Sequence, residues 1–175
     1  MKKTLALIIS LFAMATVANA QFNNGQGYVG ASISGLGISY NDSEKFKIDL
    51  SAQAGMFFWD DVLLYGQLGW KHVGEGDFND FKIGVGGRYY IEQNGIFLGL
   101  SGNYVYQSPS MNDFRPQFEV GYCFFVSDQI AIEPALYYDQ SFNDHSRFST
   151  VGLKLGIGLY RNKDKVKNDI IDALK

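Results

Sequence analysis

Between Lys45 and Phe58 the chain alternates without a break. Phe46, Ile48, Leu50, Ala52, Ala54, Met56 and Phe58 are apolar, while Lys45, Lys47, Asp49, Ser51 and Gln53 are polar or charged. Successive side chains of a β-strand point to opposite faces, so this stretch makes one apolar face and one polar face. The same two-residue beat marks eight segments, approximately 27–40, 45–58, 62–73, 79–91, 96–107, 113–126, 129–140 and 147–160. An even number of consecutive strands joined by short links predicts an all-β, antiparallel, up-and-down meander that closes on itself.

The two ends read differently. Lys2 and Lys3 precede an apolar run from Leu5 to Val17, too short to cross a bilayer comfortably, and Ala18-Asn19-Ala20 has the small-x-small pattern of a cleavage site. Residues 1–20 are therefore expected to be a signal peptide, with mature protein starting at Gln21. Residues 21–160 make a single domain. The tail, 161–175, is charged but places Val166, Ile170, Ile171 and Leu174 on one helical stripe; it is expected to be a short periplasmic helix or a solvated end.

Composition removes several function classes. With 14 Phe, 11 Tyr, 2 Trp, 20 Gly and 3 Pro, the chain suits strands, membrane interfaces and tight interiors. A formal net charge of −3 gives no reason to expect nucleic acid. A lone cysteine, Cys123, excludes an internal disulfide scaffold and is expected to be a small filler. His72 and His145 are the only histidines and lack metal-ligand spacing, so neither a metal nor a cofactor is indicated.

Alternation alone does not say which face points inward, but volume does. An eight-stranded barrel has an interior just wide enough for side chains to fill. Phe46, Phe58, Leu68, Trp70, Phe81, Leu98, Leu100, Phe118, Phe124 and Leu153, all of the apolar phase, would overfill it. The other phase mixes Gly69, Gly84, Gly86, Gly99, Gly156 and Gly158 with long charged side chains, which suits a narrow packed lumen. Lys47, Asp49, Lys71, Lys82, Arg88, Arg115, Glu119, Glu133, Asp139 and Lys154 all share this polar phase. A basic residue on a lipid face would cost about 2–4 kcal/mol at mid-bilayer. Polar-in, apolar-out is the expected arrangement: a transmembrane barrel.

Local features fit that frame. Trp59-Asp60-Asp61, Glu92–Gly95 and Ser127-Asp128 read as tight turns, and the links at 41–44, 74–78, 108–112 and 141–146 are somewhat longer and more polar. In outer-membrane barrels short turns face the periplasm and longer loops the exterior. Trp59, Phe58, Tyr89, Tyr90 and Phe124 would then ring the periplasmic interface, with Tyr40, Trp70, Tyr104, Tyr106 and Tyr138 at the other. A motif recurs before each tight turn: Gly55-Met56-Phe57-Phe58, Gly87-Arg88-Tyr89-Tyr90 and Gly121-Tyr122-Cys123-Phe124-Phe125, each followed by an apolar strand start. In the first strand the apolar phase switches between Ile33 and Leu36, which predicts a bulge near Gly35. Pro116 and Pro134 lack an N–H and predict bulges or locally broken pairing.

With these features the chain resembles the eight-stranded outer-membrane β-barrel domain family of the OmpA/OmpX kind over residues 22–160. The likeness rests on the export signal, the repeated Gly-x-aromatic-aromatic hairpins and the last strand, Thr150–Tyr160, which looks like the family's assembly signal. Family members often end on an aromatic residue, whereas this chain continues to Lys175. The resemblance implies outer-membrane localisation in a Gram-negative bacterium, contact with membrane lipids and lipopolysaccharide, insertion by the barrel assembly machinery, and a monomer. It also implies a non-enzymatic role in envelope integrity or surface interaction. The tail is too short to be the peptidoglycan-binding domain some members carry.

Counting from strand ends, Glu119, Glu133 and Lys154 fall near mid-height on three successive strands, with Arg88 lower on another. Buried charges must be paired, so a Glu119–Glu133–Lys154–Arg88 network is expected, of the kind that occludes the lumen in family members. Three rivals stand beside this reading. The same charges could line a narrow solute or ion channel. Asp144-His145-Ser146 in the last exterior link invites comparison with a lipid-modifying or hydrolytic enzyme, although sequence adjacency does not supply triad geometry. A soluble lipocalin-like binder would need the opposite facing.

Overall fold

The computed structural model describes residues 22–34, 47–73, 78–91, 94–107, 111–142 and 149–161. Among the described residues nine strands form one antiparallel sheet: β1 (Gly27–Ser34), β2 (Lys47–Trp59), β3 (Val62–Val73), β4 (Phe78–Tyr90), β5 (Ile96–Gln107), β6 (Met111–Tyr122), β7 (Phe124–Phe125), β8 (Ile130–Asp139) and β9 (Thr150–Arg161). β6 and β7 are consecutive pieces of one stave that pairs with β8, and β1 pairs with β9, so the sheet closes into an eight-stave barrel. Closure gives every stave a paired neighbour on both sides, the condition for strands to cross a bilayer. The expected strands 62–73 and 96–107 coincide with β3 and β5. Where the residues are described, the others differ by one or two residues at their ends; 35–40, 45–46 and 147–148 lie outside the described residues.

The facing is polar-in and apolar-out. Ile83, Leu68, Leu100, Phe118, Val120 and Ile157 are more than half exposed on the outer wall, and Val85 reaches 72%. On the inner wall Gln53, Gln67, Asn103, Arg88, Glu119 and Glu133 are buried. At the end of β2 the register shifts between Phe57 and Trp59. This bulge lets the neighbours Phe58 and Trp59 both face outward, 50% and 63% exposed, where strict alternation would turn one of them inward.

The two prolines act without a register shift. Pro116 pairs in register with Gly102 on β5, and its carbonyl accepts from Gln140 N at 2.9 Å; with no N–H to return the bond, it stands where the β6–β8 ladder starts. Opposite Pro134 and Glu133 the ladder lapses, and this gap is what separates β6 from β7 at Tyr122-Cys123. The expected bulge near Gly35 lies outside the described residues, as do the expected signal peptide at 1–20, all but Arg161 of the expected tail helix at 161–175, and Tyr40.

Tyr90 corrects one expectation. It is not an interfacial girdle residue but is fully buried in the lumen. β4 alternates without a bulge, so Tyr89 faces outward and Tyr90 necessarily faces inward beside Arg88.

Candidate functional site

The lumen is layered. At the end bearing the short turns, Phe57, Leu63, Tyr90, Phe97, Cys123, Ala131 and Tyr160 form one buried cluster with Phe22, which precedes β1. The Phe22 ring lies 4.0 Å from Tyr90, 5.5 Å from Phe57, 5.6 Å from Tyr160 and 5.9 Å from Phe125, centroid to centroid. Aromatic rings at tilted angles and such spacings attract beyond their buried area. This apolar base escaped the sequence reading. The signal was present in Phe57, Leu63, Tyr90 and Phe97, apolar residues on the polar phase beside a tight turn.

Above the base stands the charged layer. Arg88 Nε lies 2.6 Å from Glu119 Oε1, and Nη1 lies 2.8 Å from Glu133 Oε2. Lys154 Nζ bonds the other oxygen of Glu119. All four residues named from the sequence therefore meet in one cluster. Two cations face two carboxylates, so the layer is neutral. Burying ions is costly unless each is paired and its remaining donors and acceptors are filled.

Neutral groups do that filling, and sequence spacing did not point to them. Tyr160 OH donates to Glu133 Oε1 at 2.6 Å, and Tyr28 OH donates to Glu133 Oε2 at 2.9 Å. Arg88 Nη2 donates to Gln53 Oε1 at 3.0 Å and Nη1 to Tyr28 OH at 3.0 Å. The guanidinium carbon also sits 4.6 Å from the Phe97 ring centroid and 5.3 Å from that of Tyr65. Arg88 is thus gripped by carboxylates around its edge and by aromatic faces.

Glycines make the room. A Cβ on Gly99 would collide with the Glu119 side chain, and one on Gly158 would collide with the Glu133 carboxylate and lie 2.9 Å from the Tyr28 ring. Small residues beside long ones let the narrow interior hold a packed polar cluster.

Next come amides. Gln53 Nε2 donates to Gln67 Oε1 at 3.1 Å, and Gln67 Nε2 reaches both Ser101 Oγ, at 3.3 Å, and Asn103 Oδ1. Toward the other mouth lie Lys82–Asp49 at 3.2 Å, Lys71–Asp80 at 4.0 Å and Arg115–Asp113 at 2.7 Å. Asp49, Lys71, Asp80, Lys82 and Arg115 border a cavity of about 40 Å³, room for a few waters at most.

Among the girdle residues named from sequence, Trp59, Trp70, Tyr89 and Tyr104 are exposed on the outer wall, and Tyr138 is half-buried there. Trp70 stacks on His72, with centroids 5.8 Å apart. Asp144, His145 and Ser146 lie outside the described residues. Among the described residues no group of three His, Cys, Asp or Glu side chains is placed to hold a metal ion.

No protein-family model matches the sequence, and no curated protein matches it. Solved structures do. The N-terminal β-barrel domain of Pseudomonas aeruginosa OprF is similar at TM-score 0.58 and 14% identity, over 78% of this chain and 98% of that one. Neisserial surface protein A is similar at TM-score 0.53 and 12% identity, over 77% of this chain and 95% of that one. The Yersinia pestis outer membrane protein Ail, in a phospholipid bilayer nanodisc, is similar at TM-score 0.53 and 12% identity, over 78% and 99%. The fold is that of the eight-stranded transmembrane β-barrels. At such identities the likeness speaks for the fold alone.

Proposed function

We propose that this chain is a small integral outer-membrane barrel with a filled lumen, serving envelope integrity or contacts at the cell surface without catalysis. One observation carries the reading: the apolar side chains ring the outside, while the lumen is obstructed in succession by the aromatic base and the Arg88–Glu119–Glu133–Lys154 cluster. An interior so filled leaves no room for a substrate and opposes a continuous aqueous path. The outward aromatics Trp59 and Tyr89 at one end, and Trp70 and Tyr104 toward the other, suit the two headgroup regions of a bilayer. On this reading the short-turn end, with its Phe22 arm, faces the periplasm, and residues 1–20 are an export signal. Membrane lipids and lipopolysaccharide surround a monomer inserted by the barrel assembly machinery. The four-residue charge cluster is assigned a structural, occluding role.

The test is a gel comparison of unboiled and boiled samples from isolated outer membranes. A faster-migrating unboiled band in that fraction is the expected result, followed by little or no steady conductance in planar bilayers. Recovery of the protein only from the periplasm or medium would overturn the membrane assignment. Steady ion-selective conductance would overturn the occluding role in favour of a narrow channel.

A further inference from the structure

The segment Phe22–Gln26 makes no ladder pairing, yet it is tied to the barrel base at several points. Asp61 N donates to Phe22 O at 2.9 Å, Gly25 N to Phe57 O at 2.7 Å, and Phe57 N to Gln26 O at 2.9 Å. Asn24 N donates to Asp60 Oδ1 at 2.8 Å. Asp61 is held at φ 63°, in the left-handed region that Asp and Asn enter more readily than other residues with a Cβ, and its own carbonyl accepts from Tyr90 N at 2.8 Å. The turn after β2 therefore clips the arm on one side and the end of β4 on the other. Gly25, at φ 81°, supplies the reversal that carries the chain from the lumen into β1.

These bonds aim one side chain across the mouth. Phe22 is only 3% exposed, and its ring touches aromatics of β2, β4, β7 and β9, which lie on different sides of the barrel. Packed among these rings is a short chain of buried polar groups. Cys123 Sγ is 3.4 Å from Tyr160 OH, Tyr160 OH is 3.0 Å from Tyr90 OH, and Tyr160 bonds Glu133.

We propose that the N-terminal arm is a stopper: Phe22 seals the base of the barrel and shields the hydrogen-bonded Cys123–Tyr160–Glu133 chain from solvent on that side. The obstruction of the lumen is then partly supplied from outside the sheet, by a segment that can be undocked without breaking any strand pairing. The inference rests on the membrane-barrel reading for the side on which the stopper acts, but not for the seal itself.

Cys123 is the chain's only cysteine and is a built-in reporter of the seal. The full-length mature protein, folded in detergent, is treated with a small charged methanethiosulfonate, and unboiled gel mobility records whether each sample is folded. Slow labelling of the wild type and about tenfold faster labelling of folded Phe22→Ala are expected, with Phe22→Leu between them. Folded Phe22→Ala labelling at the wild-type rate would overturn the stopper. Should Phe22→Ala fail to fold, Phe22→Leu and Asp60→Ala, which only loosen the arm, decide it: faster labelling supports the seal and unchanged rates overturn it. A wild type with no unboiled band shift would instead count against the membrane-barrel reading, whatever the labelling rates.

Discussion

Arg88 on β4 and Glu119 on β6 meet at 2.6 Å across the intervening stave because Gly99, their common register neighbour on β5, has no side chain to stand between them. The glycine is as much a part of the ion pair as the charges are. Removing the cation alone should be more damaging than removing it together with the carboxylate it leaves unpaired. In Arg88→Met, Lys154 still bonds Glu119, but Glu133 loses its cation in a buried setting. We expect a loss of about 3–5 kcal/mol, read from guanidinium unfolding in lipid vesicles. Adding Glu133→Gln should recover a large part of it; no recovery would show that the cost lies in packing and not in the unpaired carboxylate.

Gly99 and Gly66 give a matched comparison. A Cβ at Gly99 strikes Glu119, whereas at Gly66 the nearest atom is Gly84 O at 4.0 Å and the position faces outward. Gly99→Val should cost about 1–3 kcal/mol by overpacking. Gly66→Val should be neutral or slightly stabilising, since valine suits a strand better than glycine does. Equal effects in unfolding titrations would contradict the assigned facing.

The outer wall predicts a depth profile. Leu100, midway along β5, is 54% exposed, and Trp59, at the end of β2, is 63% exposed. In vesicles Leu100→Arg should destabilise by about 2–4 kcal/mol and Trp59→Arg by no more than about 1 kcal/mol. A soluble barrel would show no such gradient.

Asp61 tests the base turn. Its backbone clips both the arm and β4 from a left-handed conformation that asparagine or glycine adopts at little cost and valine does not. Asp61→Asn should leave the temperature at which the unboiled band disappears nearly unchanged. Asp61→Val should lower it, with a cost of about 1–3 kcal/mol.

The strands were legible in sequence because their period is strict and both faces are chemically distinct; β3 and β5 fall on the residues read from alternation alone. The four charged lumen residues could be named because an ion on a strand of a lipid-facing barrel has only one direction to point. What alternation hides is the third dimension. Nothing in the spacing of Tyr28, Gln53 and Tyr160 says that they converge on Arg88 and Glu133, because they come from β1, β2 and β9 and meet only when the sheet curls. Aromatic content near a turn suggests the girdle for Tyr90, but parity with Arg88 turns its ring into the lumen. Phe22 lies outside any periodic segment, so its burial depends on how the turn at Asp60 and Asp61 receives it.

The seam between β1 and β9 is paired residue for residue, from Gly27 beside Arg161 to Ser34 beside Lys154. To the ladder, this joint is indistinguishable from the others, and the first and last strands owe their rank only to where synthesis begins. A circularly permuted chain, with 27 and 161 bridged and new ends opened at another turn, would trace the same cylinder. What it would lose is the covalent tether that delivers Phe22 to the mouth: the wall is cyclic, and the closure at its foot is what gives the molecule a beginning.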